Sequence, residues 1–209
     1  NDDAKLQKLH DEFAENTLSN FYLPFAVAPN FLINNKQYTI PMVTEESSVI
    51  AAASKAAKFW LDKGGFKAKV ISTTKIGQVH FIYKGGFQTL NDYFEIIKPK
   101  LYSDVISLTT NMNKRGGGVK DIQLVNLNDQ MENYFQLKAT FDTQDAMGAN
   151  FINSCLEQFS RTLKDNYEDS SQIEIIMSIL SNYVPDCIVK AEVSCNIEEL
   201  KDRSIINPM

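Results

Sequence analysis

The sequence predicts an α+β fold in which a small β-α-β-β-α-β unit is set into a larger one. Three observations carry this. Gln78 to Tyr83, Ile122 to Leu127, Tyr134 to Phe141 and Ile173 to Leu180 read as strands. Between them, Leu90, Tyr93, Phe94, Ile97 and Leu101, and later Phe151, Ile152, Cys155, Leu156, Phe159 and Leu163, recur at helical spacing. A further strand, Ile188 to Val193, then returns to the first region of the chain, which makes the middle an insertion. The inserted order is that of the split βαβ, or ferredoxin-like, arrangement, with two helices covering one face of an antiparallel sheet through right-handed crossovers.

The elements follow from local chemistry. Leu6, Leu9 and Phe13 lie at helical spacing among charges within Asp2 to Phe13, and Leu23-Pro24 and Ala28-Pro29 forbid a continuing helix. Phe31 to Ile40 holds two apolar runs around Asn34-Asn35, a pair that tolerates positive φ, so a hairpin is expected, closed by Pro41. A helix is expected from Thr44, with Thr44 as cap, Glu45 and Glu46 at the positive end of the dipole, small residues over Ala51 to Ala57, and Gly64-Gly65 as the stop. The polar stretch Lys164 to Gln172 reads as a loop.

Composition excludes several classes. At 209 residues with 44% hydrophobic side chains the chain can bury a substantial core. A formal charge of −5 gives no field for nucleic-acid phosphate or an anionic membrane, although a local anion site stays open. The longest apolar runs, Val49 to Ala53 and Ile173 to Leu180, are far too short to span a bilayer, and no signal-peptide layout is present, so a cytoplasmic location is expected. The three cysteines, Cys155, Cys187 and Cys195, form no Cys-x-x-Cys pair and no metal-ligand spacing with His10 or His80; they read as buried structural thiols. Nothing resembles a Ser-His-Asp or Cys-His system, which argues against a hydrolase.

Two segments can hold chemistry. Glu45-Glu46-Ser47-Ser48 precedes the Ala-rich helix; acidic residues there either stabilise a helix start or act on something that the small side chains let approach. Asp142 to Asn150 joins a strand to an amphipathic helix. Its Gly148 is either part of a tight turn or allows a phosphate to reach the N–H groups of the helix start. It is not a G-x-G-x-x-G fingerprint. Gly116-Gly117-Gly118 can serve as a joint or bulge.

Together these blocks resemble the class II 3-hydroxy-3-methylglutaryl-CoA (HMG-CoA) reductases. Glu15-Asn16-Thr17-Leu18-Ser19 is similar to the family's Glu-Asn-Val-Ile-Gly, and Glu45 to Ser54 to its Glu-Glu-Pro-Ser-Val-Val-Ala-Ala-Ala-Ser. Gly64-Gly65-Phe66, Gly116-Gly117-Gly118, Asp145 to Asn150 and Ile179 to Asn182 follow in the family's order. Ser19 and Ser47 depart from the family's Gly and Pro.

The resemblance implies a substrate-binding domain, residues 1–72 and 182–209, interrupted by a ferredoxin-like NAD(P)-binding domain, residues 73–181. It implies reduction of HMG-CoA to mevalonate and CoA with two hydrides from NADPH or NADH, or the reverse, in a homodimer. By position, Glu46 matches the catalytic glutamate, and Ser48 and Asn182 match residues at the HMG portion. Asp145, Met147, Gly148, Ala149 and Asn150 match the cofactor loop. No carboxylate lies in Ser107 to Asn113 to meet a ribose hydroxyl, and Lys114 and Arg115 tilt the expectation to NADPH. The family's lysine, aspartate and histidine segments are not in this sequence, and Arg203 to Met209 departs from the family's continuation. The substrate domain is therefore expected to be incomplete and the isolated chain inactive. The rival expectations are a non-catalytic nucleotide- or metabolite-binding module and a different CoA-binding enzyme.

Overall fold

A computed structural model of the chain describes residues 3–201; Asp2 and Arg203 to Met209 lie outside the described residues. The elements are α1 (Ala4–Asp11), β1 (Phe25–Ile33), β2 (Lys36–Val43), α2 (Val49–Leu61), β3 (Lys67–Tyr83), α3 (Phe87–Asp104), α4 (Ile106–Lys114), β4 (Gly118–Asn126), β5 (Tyr134–Asp142), α5 (Ala149–Asp165), β6 (Ile173–Leu180) and β7 (Cys187–Glu192). The architecture is mixed α+β with antiparallel sheets. The chain divides into two compact units: one formed by residues up to Lys69 together with those from Lys190 on, the other by Val70–Val189.

In the first unit β1 and β2 pair antiparallel around a two-residue turn, with Asn34 and Asn35 at φ 49° and 63°. Two successive positive φ angles match the twist of a tight hairpin, and asparagine tolerates them. The Asn34 side chain then substitutes for a strand neighbour: its Nδ2 donates to Ala68 O and its Oδ1 accepts from Ala68 N, both at 2.9 Å. Strand β2 continues through Pro41, paired with Val27, to Val43, rather than closing at Pro41. In a two-stranded sheet each strand keeps an outer edge where a missing N–H is harmless. Helix α2 lies against β1 and ends at Leu61, three residues short of the expected Gly64-Gly65 stop, with Gly65 N donating back to Trp60 O at 2.9 Å. A Cβ on Gly65, which sits at φ +70°, would stand 2.7 Å from Leu32 Cβ, so this glycine also admits the neighbouring chain.

The second unit carries a sheet ordered β4-β5-β3-β6, with β7 also pairing β3. Alternation along β3 turns Val79, Phe81 and Tyr83 toward α3 and α5, where they meet Leu90, Leu101, Leu156 and Phe159, all fully buried or nearly so. On the opposite face His80 accepts or donates at Nδ1 with the Tyr134 hydroxyl at 2.5 Å, and its partly buried ring holds its pKa below the usual histidine value. Helix α4 is a departure from the expected single helix in this crossover. Ser107, Thr109, Thr110, Asn111 and Asn113 are weak helix formers, and burial of Thr109 and Met112 overrides them.

The cysteines also depart from expectation. Only Cys155 is buried; β7 is exposed along its length, so Cys187 faces solvent, and Cys195 is half-buried. Burial pushes the Cys155 thiol up to about 12. With a disulfide reagent in native buffer Cys187 is expected to react first and Cys155 to stay silent until denaturant is added. Three equal rates in native buffer would contradict this placement.

Candidate functional site

The acidic segment belongs to the first unit. Helix α2 begins at Val49, not Thr44, so no acidic residue occupies its first turn. Thr44 instead makes a local turn: its Oγ1 accepts from Glu46 N and donates to Glu46 O, both at 3.2 Å. Ser48 is the N-cap, held at φ 70° with no side-chain capping bond. A left-handed serine costs roughly 1 kcal/mol, and the dipole effect fades beyond the first turn, so helix stabilisation accounts poorly for this segment. Glu46 and Ser48 are both exposed, and the Glu46 carboxylate has no partner among the described residues. The small side chains of α2 that follow include the fully buried Ala57.

The second candidate segment, in the other unit, joins β5 to α5. Asp142 anchors its start: Oδ1 accepts from Gln144 N at 2.8 Å and Oδ2 from Thr73 Oγ1 at 3.1 Å. Thr143 is fully buried and donates to Ala146 O at 2.7 Å. Gly148 takes φ +81° as the N-cap of α5, and a Cβ there would stand 2.8 Å from Thr143 Cβ. The turn itself therefore demands glycine, whatever approaches from outside. No side chain caps α5, so its first N–H groups face outward uncapped. Asp145, Met147 and Asn150 are exposed; Ala149 is partly so.

A cleft of about 290 Å³ opens here, lined by Ala146 to Phe151 together with Met112 and Arg115 at the end of α4. Arg115 Nη2 rests 3.6 Å from Met112 Sδ, and Lys114 beside it is exposed. Gln144 Nε2 donates to Gly116 O at 3.1 Å and so ties the loop to the triple glycine. Asn182 sits exposed in the bend after β6, whose end is pinned by Leu180 N donating to Asn153 Oδ1 at 2.9 Å. The structure thus brings residues 145–150 together at one helix start, and Glu46 and Ser48 together before another. Among the described residues no group of three or more His, Cys, Asp or Glu could hold a metal, and no helix is long and apolar enough to cross a membrane.

Lys75 shapes the loop together with Thr143 of the candidate segment, and motif reading misses the lysine. Lys75 Nζ donates to Thr143 Oγ1 at 2.7 Å, Ala146 O at 2.6 Å and Met147 O at 2.8 Å. The signal available in sequence was parity: Lys75 shares the inward register of Val79, Phe81 and Tyr83, and a lysine on that face must find acceptors.

The fold of the chain is shared with a solved bacterial enzyme. The class II 3-hydroxy-3-methylglutaryl-CoA reductase of Streptococcus pneumoniae, solved bound to NADPH in open conformations, superposes with a TM-score of 0.75 at 34% identity. The match covers 90% of this chain and 52% of that one. A family model described as hydroxymethylglutaryl-coenzyme A reductase matches residues 1–207, and the chain belongs to that family. The 3-hydroxy-3-methylglutaryl-coenzyme A reductase of Archaeoglobus fulgidus is 36% identical over 71% of this chain and 34% of its own length. A probable reductase of Borreliella burgdorferi is 30% identical over 91% of the chain and 43% of its own length. The chain therefore spans about a third to a half of the relatives that it matches.

Proposed function

We propose that this chain is a portion of an HMG-CoA reductase that carries its dinucleotide site. The inserted unit, residues 73–181, is read as the ferredoxin-like cofactor domain, which the strand order β4-β5-β3-β6 supports. Residues 1–72 and 182–209 are read as part of the substrate-binding domain. The reaction is two-hydride reduction of HMG-CoA to mevalonate and CoA, or its reverse, in a homodimer. NADPH or NADH supplies the hydrides; the exposed Lys114 and Arg115, and the NADPH of the S. pneumoniae structure, favour NADPH. Asp145, Met147, Gly148, Ala149 and Asn150 hold the dinucleotide. Glu46 exchanges a proton with the reacting oxygen, and Ser48 and Asn182 contact the HMG portion.

The observation that carries this reading is the uncapped N-terminus of α5 opening on a cleft beside Arg115. Outward N–H groups and a guanidinium suit a pyrophosphate. A volume of about 290 Å³ accepts the phosphate-bearing part of a dinucleotide rather than all of it.

Asn150→Asp tests it. The carboxylate is nearly isosteric and, in the first turn, is expected to stabilise α5 by about 0.3–1 kcal/mol. Against a pyrophosphate ~5 Å away it repels by about 2–3 kcal/mol at an effective dielectric of ~20–30, so NADPH affinity is expected to fall at least tenfold. Nicotinamide fluorescence titration reads the affinity and thermal unfolding reads the fold. Unchanged affinity in the folded variant would make the loop a structural turn.

A further inference from the structure

We propose that Lys75 is a positioning residue of the dinucleotide loop, acting through the orientation of two peptide groups. The inference rests on the loop being the pyrophosphate site. The ammonium group has three N–H donors, and all three are committed: to Thr143 Oγ1, Ala146 O and Met147 O, at 2.6–2.8 Å. It therefore has none left for a ligand and is not itself a phosphate contact. What it does is fix where two carbonyls point. In a trans peptide the C=O and the following N–H point in opposite directions. With the carbonyls of Ala146 and Met147 turned inward onto Lys75, the N–H groups of Met147 and Gly148 are turned away from it. Neither N–H has an acceptor within the protein among the described residues.

Both N–H groups belong to residues that line the cleft ahead of α5, where they extend the row of uncapped donors at the helix start. Successive outward N–H groups form an anion-binding concavity. Thr143 completes the arrangement: it accepts from Lys75, donates to Ala146 O, and packs beneath Gly148 so closely that only glycine fits. The pyrophosphate is common to NADPH and NADH, so this device serves both and does not choose between them.

The test compares the 209-residue chain with its Lys75→Met and Lys75→Arg variants, titrated with NADPH and with NADH. Lys75→Met, which fills similar space without donors, is expected to lose at least tenfold in affinity for both dinucleotides alike. Lys75→Arg, which restores N–H donors to the same carbonyls, is expected to recover to within about threefold of wild type. Lys75→Met within twofold of wild type, a loss confined to NADPH, or a folded Lys75→Arg as weak as Lys75→Met would each overturn the proposal. If circular dichroism finds Lys75→Met unfolded, Lys75→Gln, which keeps a donor but no charge, replaces it under the same loss criteria. A wild-type chain that binds neither dinucleotide overturns the site assignment and this inference together, whereas wild-type binding beside an unaffected Lys75→Met overturns the inference alone.

Discussion

Glu46→Gln, placed in a polypeptide that also carries the family's remaining segments, is expected to lower kcat by about 10²–10⁴-fold, the usual contribution of a general acid–base group. The amide preserves shape but cannot exchange the proton, so KM for HMG-CoA should move only a few-fold. Stability should not change, because the side chain is exposed and its carboxylate has no partner among the described residues. Steady-state kinetics with thermal unfolding as control checks both halves. A variant with most of its kcat intact would leave Glu46 without a chemical role.

The largest stability loss is expected in the second unit. Phe159 on α5 is fully buried, and its ring stacks on that of Phe141 from β5 with centroids 6.5 Å apart. Phe159→Ala removes the contact that joins helix to sheet and leaves a cavity that rigid neighbours cannot fill, which costs about 3–5 kcal/mol. Urea denaturation followed by circular dichroism should show a lower midpoint with an unchanged slope. A loss below about 1 kcal/mol would mean that α5 is not seated on the sheet as described.

Both residues stand out in the sequence, for different reasons. Phe159 lies on a stripe with Phe151, Ile152, Cys155, Leu156 and Leu163, all buried but the partly exposed Phe151 at the helix start. Strand β6 falls on Ile173 to Leu180 as read, and the Asn34-Asn35 turn is where its chemistry places it. Periodicity and turn propensity are local, so they survive being read one window at a time. The first half of β3 is hidden for the complementary reason: Ser72-Thr73-Thr74-Lys75 carries no apolar alternation, and its pairing to β5 is a contact across some seventy residues of chain. Helix α4 is hidden because its propensity is poor and its burial is tertiary.

The same division runs through the candidate sites. A glycine before an amphipathic helix marks the start of α5, and the small-residue helix marks the acidic segment. The start of α2 is misread because a Thr44 turn and a left-handed Ser48 imitate a capped first turn from a distance. The Lys75 bonds to the loop cannot be read at all without the fold, since a single parity places the lysine while three acceptors from another strand's end give it meaning.

The interrupted first unit also constrains the order in which the chain acquires its structure. Its two segments are separated by the residues Val70–Val189. If those roughly 120 residues were still an unfolded coil, bringing the segments together would forfeit about 4 kcal/mol of loop entropy, from (3/2)RT ln n. Once the intervening unit has collapsed around its own core, that loop is a rigid body and most of the entropic barrier is gone. The inserted unit is therefore expected to fold before the first is closed, when residues near Gly64-Gly65 meet Glu192 to Ser194, with which they share a cleft of about 310 Å³. Until then the hairpin and α2 lack those later neighbours, and Phe25 at the start of β1, exposed even in the folded chain, is apolar surface open to a chaperone.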